Sequence, residues 1–92
     1  MSRRRVYHKE TIEIMQRFFV ALDDLVANDR IEGGLTGFCK KYGLDKRHLY
    51  IQRQDLGRGF FEVYWILPLI TDYNVSQFWI LFGVGSMYTF SK

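Results

Sequence analysis

A single glycine, Gly43, separates two stretches in which apolar side chains recur at helical spacing. Before it, one apolar face is formed by Leu35, Phe38, Cys39 and Tyr42. After it, Asp45 is a suitable N-cap for a helix over residues 45–54. One continuous helix would carry Gly43 in its interior, at a cost of about 1 kcal/mol relative to alanine. Just past a helix end, glycine adopts the left-handed conformation at little cost. The spacing therefore predicts two short helices around a turn.

The longest amphipathic stretch, residues 9–27, predicts the first helix of the chain. Its apolar residues step by threes and fours along one stripe: Ile12, Met15, Phe19, Leu22, Leu25 and Val26. Charged residues fill the other side: Glu10, Glu13, Arg17, Asp23 and Asp24. The helix is predicted to end before NDRIEGG (28–34), whose asparagine and glycines favour turns.

The segment at residues 60–73 admits two interpretations. FFEVYW has strand propensity and could pair with residues 48–54 as a hairpin across a loop at 55–59. Alternatively, a helix begins near residue 65 or 66 and runs to 73, because Pro68 is tolerated in a first turn. A last helix over 77–82 follows, with Ser76 as its cap. We therefore expect an all-α bundle of about five short helices.

Composition places this bundle in one domain over residues 9–88, with a basic arm at 1–8 and a tail at 89–92. The 92 residues are 48% apolar and 17% aromatic, which is enough for one small core. The single cysteine, Cys39, fits a reducing compartment, and it is expected to pack in the core. No apolar run approaches the roughly 20 residues of a membrane span. The sequence predicts a soluble cytoplasmic protein.

Positive charge is concentrated in two blocks of the chain. Residues 40–58 contain six lysines and arginines against two aspartates, and the first nine residues contain four and no acid. Such clustering is expected where one face of a protein meets a polyanion, although a solvated surface produces the same pattern.

Two helices joined at a glycine, the second of them basic, are the plan of the helix-turn-helix. Residues 35–53 resemble the helix-turn-helix of lambda-repressor-like (phage repressor) proteins in the placing of Phe38, Cys39, Gly43, Leu44 and Leu49. The stretch VSQFWILFGVGSMY (75–88) is similar to the segment that often follows the domain in these repressors. Its matching residues are Trp79, Gly83, Gly85 and Met87. Two positions depart from the pattern, since Gln52 stands where an apolar residue is usual and Leu35 where a polar one is.

The resemblance implies a small transcriptional regulator that reads the major groove of double-stranded DNA with residues 45–54. Base-facing positions would be Lys46, Arg47 and Tyr50. Phosphate contacts would come from Lys40, Lys41, Arg53 and Arg58. The arm residues Arg3, Arg4 and Arg5 would enter the minor groove, or alternatively only solubilise the chain.

The aromatic residues of the second half exceed what a small monomer is expected to bury. We therefore predict a homodimer whose surface includes Phe78, Trp79, Phe82 and Met87. A protein-interaction module that keeps the fold and binds a partner through the same surface is the alternative function. No metal-ligand spacing, nucleophile dyad or pair of carboxylates is present, so no enzyme activity, cofactor or metal is expected.

Overall fold

The computed structural model describes residues 6–89. Five α-helices form this part of the chain: α1 Lys9–Ala27, α2 Gly34–Tyr42, α3 Lys46–Gln54, α4 Leu67–Asp72 and α5 Gln77–Phe82. A 3-10 turn, Val63–Trp65, precedes α4, and an isolated bridge between Val75 and Tyr88 is the one β-type pairing within residues 6–89. The all-α bundle of about five short helices is confirmed.

The first helix, α1, supplies the largest share of the core. Its fully buried side chains are Met15, Phe18, Ala21, Leu22 and Leu25. This buried face is wider than the predicted stripe, because Phe18 and Ala21 are buried too. The ring of Phe18 packs against both Phe61 and Trp65, with centroids 5.9 and 6.0 Å away. A helix contacted from several sides needs an apolar arc broader than a single stripe.

The turn between α2 and α3 confirms the prediction made from Gly43. This residue is left-handed (φ 73°), and the Leu44 amide after it donates to the carbonyl of Cys39 at 2.9 Å. The Asp45 side chain then accepts hydrogen bonds from the amides of Arg47 and His48, so it caps α3 as predicted. The glycine and the cap end one helix and begin the next within three residues.

Helix α2 begins at Gly34, after a left-handed Gly33. Of the two interpretations of residues 60–73, the structure contains the helix. The hairpin between residues 48–54 and FFEVYW does not form, since 48–54 belong to α3. The helix at Pro68 is present, with proline in its first turn.

The side chain of Gln52 is fully buried in the core beside Leu49. Its Nε2 donates to the carbonyl of Leu56 at 2.9 Å and lies 3.3 Å from the sulfur of Met15. Its Oε1 accepts from the amide of Phe60 at 2.9 Å. A buried amide costs little when its hydrogen bonds are made, so glutamine takes the place of an apolar residue here. Gln52 and Leu49 therefore form one buried side of α3.

The C-terminal segment returns to α1 and is held there by polar contacts. Arg17 donates from Nε to the carbonyl of Ile80 at 2.8 Å and from a terminal nitrogen to that of Leu81 at 3.1 Å. These carbonyls lie at the end of α5, where a cation is favourable. The hydroxyl of Tyr88 donates to Asp24 at 2.6 Å. Burial, together with this hydrogen bond, raises the pKa of Tyr88 to about 12.

Replacement of Gln52 tests whether the hydrogen bonds of its amide stabilise the fold. Gln52→Ala is expected to lower the free energy of unfolding by about 2–4 kcal/mol, because it leaves the Leu56 carbonyl and the Phe60 amide unpaired and opens a cavity. Gln54→Ala, at an exposed position of the same helix, is the control and should change the free energy of unfolding by less than about 0.5 kcal/mol. Urea denaturation measures both, and equal effects would contradict a structural role for Gln52.

Candidate nucleic-acid interface

The three residues predicted to face bases lie together on the exposed side of α3. Lys46 and Arg47 are exposed, and Tyr50 is 43% exposed. The opposite side of the helix carries the buried Leu49 and Gln52. We call Lys46, Arg47 and Tyr50 the exposed face of α3.

The Lys46 ammonium occupies a defined position on this face. Its Nζ donates to Oγ1 of Thr36 at 2.6 Å and lies 5.7 Å from the centre of the Tyr50 ring. Thr36 belongs to α2, so the contact joins the beginnings of the two helices across the turn. Within residues 6–89, the Arg47 side chain makes no hydrogen bond, ion pair or ring contact.

The two lysines of α2 extend the positive surface. Lys40 is exposed and follows Thr36 by one helical turn, so both lie on the same side of α2. Lys41 is also exposed, with its ammonium 5.4 Å from the ring of Tyr42. Both lysines line an open pocket of about 290 Å³ together with Ile31, Glu32, Gly37 and Tyr73. Glu32 adds a negative charge to that pocket, which makes it less favourable for an anion.

Arg53 is directed toward α1. Its guanidinium is paired with the carboxylate of Asp23 and lies 5.7 Å from the centre of the Phe19 ring. An arginine with these partners ties α3 to α1 and is less available to a phosphate than a free side chain. The phosphate contact expected of Arg53 would require this pair to open.

Arg58 lies in the loop that follows α3. Its guanidinium is 6.0 Å from the ring of Phe60, and its carbonyl accepts a hydrogen bond from the Tyr7 hydroxyl at 3.0 Å. Phe60 in turn stacks on His48 of α3, with ring centres 4.0 Å apart. Arg58 is half-buried in these contacts. The arm residues Arg3, Arg4 and Arg5 lie outside the described residues.

Two exposed polar residues next to the exposed face of α3 were not among the predicted site residues. Gln54 follows Tyr50 by one turn, and this spacing is visible in the sequence. Thr36 could not be found in this way, because its contact with Lys46 depends on the angle at which α2 and α3 meet.

The residues predicted for a dimer surface divide into two pairs. Phe78 and Phe82 are 60% and 68% exposed, whereas Trp79 and Met87 are half-buried against the core. Leu81 and Val84 add exposed apolar area beside the first pair. We call Phe78, Leu81, Phe82 and Val84 the α5 surface.

Metal clusters and membrane-spanning helices are absent from residues 6–89, and the one cysteine is buried. Over residues 6–89, no three His, Cys, Asp or Glu side chains come together as a metal would require. No helix in this range has both the length and the apolar character to cross a membrane. Cys39 is buried, as predicted, and burial raises the pKa of its thiol.

Comparisons with protein-family models, with curated proteins and with solved structures gave no match to this chain.

The different environments of two arginines on α3 give a testable difference. Arg53→Gln should lower the free energy of unfolding by about 1 kcal/mol, because it removes the pair with Asp23 and the contact with Phe19. Arg47→Gln removes the same charge from an exposed position and should cost less than about 0.5 kcal/mol. Urea unfolding of both variants measures the difference. If Arg53→Gln is also neutral, or if its cost persists in an Asp23→Asn background, the ion pair does not hold the helices together.

Proposed function

We propose that this protein binds double-stranded DNA and places α3 in the major groove. The observation that supports the proposal most is the exposed face of α3, where Lys46, Arg47 and Tyr50 project while Leu49 and Gln52 secure the helix from behind. A helix that presents donors on one side and is anchored on the other suits insertion into a groove.

The chemistry of this face fits base edges and phosphates. Arginine and lysine donate to O6 and N7 of guanine, and an aromatic or apolar group can contact the thymine methyl. Lys40, on the neighbouring helix, would neutralise phosphate charge and add affinity that is independent of sequence. This division of roles supports a small regulator of the phage-repressor type that acts by occupying DNA.

DNA titrations across a series of salt concentrations test this function. Fluorescence anisotropy with random duplex and with DNA upstream of the protein's own gene should give affinities that fall steeply with salt, since each phosphate contact releases counterions. Lys46→Ala with Arg47→Ala should lower affinity for the preferred sequence about tenfold or more. The control, Arg30→Ala, removes an exposed charge that lies in neither basic block and should have a smaller effect than Arg47→Ala alone. Failure of the folded wild type to bind either duplex at low salt would refute the proposal.

We further propose that two copies associate through the α5 surface. Phe78 and Phe82 are exposed by more than half, and residues 73–91 contain no charged side chain. A two-fold interface brings each patch against its own copy, and the side chains of this patch are apolar. The Arg17 guanidinium of α1 lies beside the patch, where it is held by the carbonyls of Ile80 and Leu81. Such a dimer would present two α3 helices to successive turns of DNA.

Sedimentation equilibrium tests this association. The wild type should reach a dimer mass with increasing concentration, and Phe78→Ser with Phe82→Ser should shift it to monomer. Val63→Ser with Leu67→Ser is the control, because these residues are also exposed, at 71% and 48%, but lie outside the α5 surface. A wild type that stays monomeric both free and on DNA would contradict the dimer. The exposed Phe82 would then favour the second candidate function, binding of a different protein through the same surface.

A further inference from the structure

We infer that Thr36 is a positioning residue that holds the Lys46 ammonium for one guanine of the DNA site. The inference rests on the proposed DNA binding, and it names the base pair class that this part of the interface recognises. Thr36 is placed on α2, so its effect on the base would act through Lys46.

The hydrogen bond from Lys46 to Thr36 is short and charge-assisted, at 2.6 Å. An ammonium carries three donor hydrogens, so one donated to Thr36 leaves two for a ligand. Two donors match O6 and N7 of guanine, which are neighbouring acceptors in the major groove. The threonine therefore fixes the group without consuming its capacity to bind a base.

Tyr50 provides a second restraint on the same ammonium. Its ring centre lies 5.7 Å away, within the range of a cation–π contact. A free lysine loses considerable rotamer freedom on binding, and a side chain already held at two points loses less. The Arg47 side chain lacks such partners among residues 6–89, so it can adapt its position to the DNA backbone or to a neighbouring base.

Restraint of the ammonium is what would make it selective. Adenine and cytosine present amino donors to the major groove, and a fixed ammonium facing one of them would meet another donor. A lysine free to move could avoid that clash by turning to a phosphate. Removal of the threonine hydroxyl should therefore relax selectivity at a single base pair while general affinity remains.

The experiment compares variants of the full chain by selection from a random duplex library. Lys46→Ala identifies the base pair read by Lys46, which is expected to be G·C in the wild type. Thr36→Val has the same shape as threonine without the hydroxyl, and it should lower the preference at that pair roughly three- to tenfold. Thr36→Ser keeps the hydroxyl and should restore the preference. Thr71→Val, at an exposed threonine of α4, controls for the substitution itself.

Affinity for random duplex and its dependence on salt are measured in parallel, and Thr36→Val should leave both unchanged. The inference is overturned if Thr36→Val keeps full selectivity, if it relaxes a base pair other than the one that Lys46→Ala identifies, or if Thr36→Ser fails to rescue. In each of these cases DNA binding by the wild type still stands. A folded wild type that binds no DNA would refute the proposed function, and the inference with it.

Discussion

The buried amide of Gln52 determines how α3 is rotated about its axis. Both ends of this amide are used, one by the Leu56 carbonyl and the other by the Phe60 amide. A polar group in an apolar core is tolerated only while these partners are in reach, so a rotation that breaks these hydrogen bonds while the amide stays buried is unfavourable. With Gln52 inward, Lys46 and Tyr50 must point outward. The composition of the exposed face of α3 thus depends on a residue that never reaches the surface.

Charged residues along α1 act as connections to later parts of the chain. Arg17 holds the end of α5, Asp23 pairs with Arg53 of α3, and Asp24 accepts the hydroxyl of Tyr88. Each of them would be assigned to solvent from helical periodicity alone. Helix α1 thus contacts both α3, which carries the candidate DNA face, and the segment that carries the α5 surface.

These contacts also narrow the surface that is available to a polyanion. The basic block at residues 40–58 is divided by the fold, since Arg53 is committed to α1 and Arg58 to the loop around Phe60. What stays exposed is a smaller group on the adjoining helices α2 and α3, formed by Lys40, Lys41, Lys46 and Arg47. These four cations are the ones on which the proposed DNA binding depends.

The sequence alone determined α1, the α2–α3 turn and α5, whereas it left residues 60–73 open between a hairpin and a helix. Apolar periodicity predicted α1, and Gly43 with Asp45 predicted the α2–α3 turn, because helix ends are governed by local backbone conformation and by caps a few residues away. The tertiary structure decided which polar side chains serve the fold and which remain free. Arg53 and Thr36 find partners on other helices, and such partners depend on the angles at which helices meet. The Gln52 amide is instead held by the loop that follows α3. No local pattern encodes those angles, so the site could be predicted as a helix but not as a set of contacts.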